Sequence, residues 1–202
     1  TIRVGSSIVL ARSSGQSVVA GIFTGNDDDD KDDDGMPIKG TLFDFDADGR
    51  ADMWVFMPSN KLWHILRGTE GDMSMELGAT GDLLAPADYD GDAKTDVAVF
   101  NPSAGKWSIF SSRSQSFQTV DWGIRGDLPV PADHDGDGKA DLVVFRPSNG
   151  TWYMKLSSNN SISAVVFGVA GDKPVIGDFD GDGKADLAVF RPSTNVWYFL
   201  ET

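Results

Sequence analysis

The chain has no cysteine among its 202 residues, which excludes a disulfide framework and a thiol nucleophile. It is nearly free of glutamate: of 31 acidic residues only Glu70, Glu76 and Glu201 are not aspartate. A solvated acidic surface would mix the two acids, so the bias points to short ligands held in turns. Histidine is scarce too. Only His64 and His134 offer an imidazole base, and His134 is expected to point to solvent. No serine sits in a nucleophile-elbow pattern. A glycosidase needs two opposed carboxylates, and nearly every aspartate here already has a ligand or turn role. The chain is therefore read as not an enzyme. No apolar run is long enough to span a membrane, and a net charge of −14 offers nucleic acid no basic face. No signal peptide is visible, and the first residue is Thr1 rather than methionine, so a processed or excised form is expected.

What the chain does have is one nine-residue loop written four times. Asp44–Asp52 reads DFDADGRAD, Asp88–Asp96 DYDGDAKTD, Asp133–Asp141 DHDGDGKAD and Asp178–Asp186 DFDGDGKAD. Aspartate stands at positions 1, 3, 5 and 9 of each. These are Asp44, Asp46, Asp48 and Asp52; Asp88, Asp90, Asp92 and Asp96; Asp133, Asp135, Asp137 and Asp141; and Asp178, Asp180, Asp182 and Asp186. Odd spacing in a tight loop turns these side chains toward one centre, and mid-loop glycine permits the sharp turn. The position-7 carbonyl of Arg50, Lys94, Lys139 or Lys184 would complete an oxygen cage, the donor set that calcium prefers. An EF-hand begins similarly but requires glutamate at position 12. Here that position is Val55, Val99, Val144 or Val189, inside an apolar run, so the loops sit between strands. About four calcium ions are expected, which would bring the charge from −14 to −6.

The loops recur every 44 to 45 residues, and the likeness extends past them. Each is followed by an apolar run (53–56, 97–100, 142–145, 187–190), a Pro-Ser turn, and a tryptophan: Trp63, Trp107, Trp152 or Trp197. A Ser- or Gly-rich turn and a last apolar run complete the repeat. A Gly-Asp pair precedes the next loop: Gly81-Asp82, Gly126-Asp127 or Gly171-Asp172. Short runs rich in Val, Phe and Trp and bounded by Gly, Pro, Ser and Asp read as strands. Four strands per repeat of about 45 residues is the unit of a β-propeller blade. In the third repeat the strands are predicted at about 129–132, 141–146, 151–156 and 163–168, with the Asp loop joining the first to the second.

The DxDGDGxxD loop followed by LAVFRPS and a tryptophan resembles FG-GAP/VCBS repeats, the calcium-binding blades of integrin α-subunit propellers and of many bacterial surface proteins. The resemblance covers about 35–202. It implies a propeller, calcium in the loops, and extracellular adhesion or ligand binding, with a protein or glycan ligand at the cell surface. Two departures stand out. Ala93 replaces the glycine found at Gly49, Gly138 and Gly183, and four loops are present where familiar members close with seven blades.

The reading is thus an all-β, single-domain propeller over 1–202, with repeats at about 36–80, 81–125, 126–170 and 171–202. The fourth repeat stops where its last strand should begin. Residues 13–25 resemble 157–169, so Ser17 to Phe23 is expected to supply that outer strand and close four blades. The run Ile8 to Ala11 is then surplus: a rim strand, a frayed end, or a route to self-assembly by strand addition. The acidic stretch 26–35 is read as a solvated loop in preference to a weak fifth site. Recurring tryptophans are read as packing between blades, and departures from the repeat as a candidate ligand face: Trp54, Trp122, Arg146 and Arg191. A secreted, cell-surface location is expected. A lectin-like carbohydrate module and a structural subunit of an extracellular filament or surface layer are the competing functions.

Overall fold

The computed structural model describes residues 43–200 and three short strands before them, β1 (Arg12–Ser13), β2 (Gln16–Ser17) and β3 (Val19–Gly21). The expectations for 1–11 and for the acidic stretch 26–35 lie outside the described residues. The chain divides into two compact units: Thr1–Thr80 with Ala93–Thr95, and Gly81–Asp92 with Asp96–Thr202.

In the first unit β1 and β2 form a two-stranded hairpin. A four-stranded antiparallel sheet runs in the order β3, β4 (Met53–Met57), β5 (Leu62–Arg67), β6 (Gly71–Glu76). The second unit holds three more sheets. One is β7 (Leu83–Leu84), β8 (Val97–Asn101), β9 (Lys106–Ser111) and β10 (Ser116–Asp121). The next is β11 (Leu128–Pro129), β12 (Leu142–Arg146), β13 (Thr151–Lys155) and β14 (Ile162–Val166). The last is β15 (Lys173–Gly177), β16 (Asp186–Arg191) and β17 (Val196–Leu200), with three strands among the described residues. Every sheet is an antiparallel meander, and each Asp loop joins its first strand to its second. In the third repeat the first strand is shorter than expected. Beyond Pro129 the pairing continues only through the Val130 N–H bond to the Val143 carbonyl and one bridge, Ala132 to Asp141, before the loop.

One strand falls elsewhere than expected. Val19–Gly21 is the first strand of the first sheet, not the outer strand of the fourth. Val19 lies opposite Phe56, as Leu83 lies opposite Phe100, Leu128 opposite Phe145 and Lys173 opposite Phe190. The physical reason is that the first edge of β4 needs a partner as much as the last edge of β17 does. A short apolar run ending in glycine suits either ladder.

The core follows strand alternation. Trp63, Trp107 and Trp152 are fully buried. Each indole N–H donates to a carbonyl just past the outer strand, on Leu77, Trp122 and Phe167 respectively, at 3.1, 2.9 and 2.8 Å. Where the second turn meets the outer strand's exit the second and third sheets require glycine, while Lys61 and Asn195 hold the same left-handed position in the first and fourth. A Cβ on Gly105 would stand 2.3 Å from the Gly123 carbonyl oxygen, and one on Gly150 2.2 Å from that of Gly168.

Four residues assigned above to a ligand face are structural. Trp54 is buried and stacks on Trp63, and Trp122 packs on the second sheet's cluster. Arg146 forks onto buried Asp127 at 2.8 and 3.0 Å and lies over the Tyr153 ring; Arg191 repeats this with Asp172 and Tyr198. The Asp172 carboxyl is held below the usual carboxylate range by the Arg191 hydrogen bonds. The same aspartates accept the Ile124 and Val169 N–H groups, so each fork ties the inter-repeat turn to the second strand.

Candidate metal sites

The aspartate loops have one backbone design. Positions 4 and 6 take positive φ in all four: Ala47 and Gly49 at 60° and 84°, Gly91 and Ala93 at 76° and 68°, Gly136 and Gly138 at 82° and 86°, Gly181 and Gly183 at 82° and 87°. This conformation turns successive N–H groups inward. In the first, third and fourth loops the position-1 carboxylate accepts the position-6 N–H at 2.8–2.9 Å. In the second, third and fourth it accepts the position-4 N–H at 2.6–2.7 Å. Consecutive loops are also joined: the Thr95, Ala140 and Ala185 N–H groups donate to the Asp44, Asp88 and Asp133 carbonyls, each at 2.6–2.7 Å.

Within each loop three carboxylates bring an oxygen within 4.8 Å of one another: Asp44, Asp46 and Asp48; Asp88, Asp90 and Asp96; Asp133, Asp135 and Asp141; Asp178, Asp180 and Asp186. Positions 1 and 3 are thus gathered in every loop. The third member is position 9 in the second, third and fourth loops, and position 5 in the first. The remaining predicted ligands, Asp52, Asp92, Asp137 and Asp182, are held by other contacts. Asp92 accepts the Ser112 hydroxyl and Asp137 the Ser157 hydroxyl, while Asp182 accepts the Lys184 N–H.

Position 9 doubles as a pin. One oxygen of Asp52, Asp96, Asp141 and Asp186 accepts the position-2 N–H at 2.7–2.9 Å. In the first three loops the other oxygen accepts an N–H from the turn between the third and fourth strands, on Gly68, Ser112 or Ser157. Sequence reasoning missed that turn as part of the site. It also supplies Thr69, whose N–H and hydroxyl both reach Asp46, Ser111, whose hydroxyl donates to Asp90, and Ser158, whose hydroxyl donates to Asp135. The findable signal was a serine or threonine some two dozen residues after each loop's first aspartate. In the fourth repeat that place falls at Thr202, outside the described residues.

His134 is buried rather than solvent-facing. Its Nδ1 donates to the Ala185 carbonyl at 2.7 Å, linking the third loop to the fourth, and burial pushes the imidazole pKa down. His64 is exposed and pairs with the Ser74 hydroxyl. Neither histidine faces a carboxylate cluster as a base.

The electrostatics suit a cation. Burial raises the carboxyl of Asp96 to about 6, opposed by the Ser112 and Tyr89 N–H bonds and assisted by the Asp90 charge. Burial likewise raises Asp44, Asp52 and Asp141, the last two helped by neighbouring aspartates. At Asp46 burial is outweighed by the Thr69 and Glu70 hydrogen bonds, and the carboxyl lies below its ordinary range. Asp90 carries the clearest open valence. Its Oδ1 is buried without a hydrogen-bond partner, with the Arg113 Nε the nearest cation, at 3.9 Å. An inward-facing carboxylate oxygen with no donor, beside two more carboxylates, fits a bound dication.

Repeated antiparallel meanders with an aspartate cluster between first and second strands define an all-β repeat module whose loops could hold metal ions. A model of the FG-GAP-like repeat matches residues 88–144 and again 133–189, together half of the chain, and the chain belongs to that family. No curated protein matches it. Among solved structures it is similar to a streptogramin B lyase at 12% identity and TM-score 0.47, covering 75% of this chain and 51% of that one. It is similar to a virginiamycin B lyase from Staphylococcus aureus at 9% identity and TM-score 0.48, covering 75% and 52%. It is also similar to BBS1N in complex with ARL6DN at 12% identity and TM-score 0.49, covering 82% and 56%. The chain spans about half the length of each of these structures.

Proposed function

We propose that each aspartate loop binds one calcium ion and that the chain is an extracellular adhesion or ligand-binding module, not an enzyme. The carrying observation is the fourfold convergence of three carboxylates within 4.8 Å, every donor an oxygen. An all-carboxylate set with backbone carbonyls at hand suits a hard cation of high coordination number. Zinc and copper sites draw on imidazole or thiolate. The position-7 carbonyls of Arg50, Lys94, Lys139 and Lys184 are the further donors in this reading. Filling the loops replaces repulsion among close carboxylates with attraction to a dication, so binding stiffens the ends of the repeats and stabilises the fold by linkage. Loops of modest affinity fill where calcium is plentiful, which is why a secreted or cell-surface setting with a protein or glycan ligand is preferred.

Elemental analysis and calorimetric titration with calcium and with magnesium test the metal reading. About four calcium ions per chain and a melting temperature that falls on chelation are expected. Absence of bound metal together with an unchanged melting temperature in excess chelator defeats it. A glycan array and a cell-binding assay, each run with and without chelator, then test adhesion. Capture that depends on calcium supports the role, and no binding to either surface removes it.

A further inference from the structure

Arg113 departs from the turn chemistry of its neighbours. In the first and third repeats the residue twenty-five after the loop's first aspartate is Thr69 or Ser158. Its hydroxyl donates to the position-3 carboxylate, on Asp46 at 2.8 Å and on Asp135 at 2.6 Å. In the second repeat that place is taken by Arg113. The hydroxyl comes instead from Ser111, which donates to Asp90 Oδ2. The second loop thus keeps a hydroxyl donor and gains a guanidinium besides.

That guanidinium lies on the loop. Its Nη2 donates to the carbonyl of Gly91, position 4, at 2.8 Å, and its Nε stands 3.9 Å from Asp90 Oδ1. The Arg113 N–H donates to the other oxygen, Asp90 Oδ2, at 3.1 Å, so the side chain starts from a fixed point. Asp90 Oδ1 is the buried oxygen that accepts no hydrogen bond, and Asp90 is gathered here with Asp88 and Asp96. The Asp90 side chain is 17% exposed and that of Arg113 58%. The guanidinium therefore approaches from the solvent side and is free to swing away. All of these residues belong to the second unit.

Close carboxylates repel one another, and a cation beside their oxygens relieves the repulsion. Arg113 supplies part of that relief without metal. Its hold is light, because an exposed ion pair contributes little and a separation of 3.9 Å is too long for a hydrogen bond. A dication on the same oxygens would face the guanidinium at short range, and like charges repel there. The two cations therefore compete for one carboxylate.

Resting on the calcium reading of the loops, we propose that Arg113 is a tethered cation that stands in for metal at the second loop. It faces Asp90 Oδ1 when calcium is low and yields it to the ion, swinging into solvent, when calcium rises. The affinity of the second loop is then lower than its carboxylates alone would give, and the metal-free loop is better held than its carboxylates alone would allow.

Calcium titration of the full chain, followed by the backbone amide resonances of Gly91 and Gly181, tests this. Both amides donate to the position-1 carboxylate, so they report the second loop and the fourth separately. Arg113→Gln keeps a polar stem and removes the charge. It should tighten calcium at Gly91 by about tenfold, the scale of one charge beside a dication near a surface, and leave Gly181 as it was. Arg113→Lys keeps the charge and should stay close to wild type. In chelator Arg113→Gln should melt below wild type, and in saturating calcium it should not. An affinity at Gly91 that is unchanged or weaker in Arg113→Gln, while both glycines titrate in the wild type, overturns this inference and leaves the calcium reading standing. Glycines that ignore calcium in the wild type remove both. A melting temperature lowered equally in chelator and in calcium assigns Arg113 to packing of the turn and overturns the inference too.

Discussion

Replacing Ala93 with glycine should stabilise the second loop. Ala93 has φ of 68°, whereas Gly49, Gly138 and Gly183 hold the same position at 84–87°. Left-handed backbone costs an L-residue about 1–2 kcal/mol. The three glycines report that a Cβ there meets nothing within 4 Å, so no contact is lost with the methyl and the cost is one of backbone alone. Glycine returns about 0.4–1 kcal/mol to the unfolded chain as entropy. The net gain is then about 0.5–1 kcal/mol, or roughly 1–4 °C in melting temperature for a chain of this size. The gain should appear with and without calcium, because the cost belongs to the backbone and not to a metal contact. Calorimetric titration should also show tighter binding at one site of four. A melting temperature that is unchanged or lower in both conditions would falsify the strain argument. Ala47→Gly is the matched case in the first loop, at φ of 60°, and should give a gain of the same sign.

Arg146→Met should cost about 3 kcal/mol, because it leaves the fully buried Asp127 carboxylate without its guanidinium. A loss below about 1 kcal/mol in chemical denaturation would show the pair to be dispensable. Trp152→Phe should lose about 1 kcal/mol from the missing indole bond to the Phe167 carbonyl, beyond any packing loss. Comparing it with Trp197→Phe, whose ring is half exposed, separates the two contributions. For the metal-free protein the pH dependence should be inverted. Asp96, ordinarily near 3.8, is raised to about 6 in the fold, and Asp44, Asp52 and Asp141 move in the same direction. A raised carboxyl contributes stability that is complete below its unfolded value and is lost as pH climbs through its folded one. Melting temperature should therefore fall between about pH 4 and 6 in chelator and rise over the same range in calcium, where protons compete with metal. A rise in both conditions contradicts the assignment.

Most of the architecture was legible because four copies of one pattern stand in phase. The loop, the apolar run and the tryptophan each recur at fixed spacing, and a period fixes strand order without knowledge of any single strand. Function-bearing detail was harder where it depended on a partner remote in sequence. Asp127 and Arg146 are nineteen residues apart, and nothing local ties the arginine to a buried carboxylate. The burial of His134 was hidden because its acceptor, the Ala185 carbonyl, belongs to the next loop. Within the loops the aspartate positions were evident, but their division between cluster and pin was not. That division depends on which N–H groups the neighbouring turn presents. The N-terminal strand was misplaced for another reason: three residues, Val19–Gly21, carry too little pattern to tell one ladder edge from another.

The backbone bonds from Thr95, Ala140 and Ala185 to the first aspartate of the preceding loop make the four loops a series circuit rather than four separate switches. Each bond grips the residue whose carboxylate belongs to a metal cluster, so an ion that fixes one loop also fixes the anchor of the next. Coupling of this kind passes between nearest neighbours only, as in a one-dimensional array. Among the described residues the second and third loops are bonded to a neighbouring loop on both sides, and the first and fourth on one. Calcium is then expected to enter with a filling order set by position along the chain, and the interior loops should be the last to empty. The nine-residue motif recurs four times, but its copies are not equivalent, because each place in the row is tied to different neighbours.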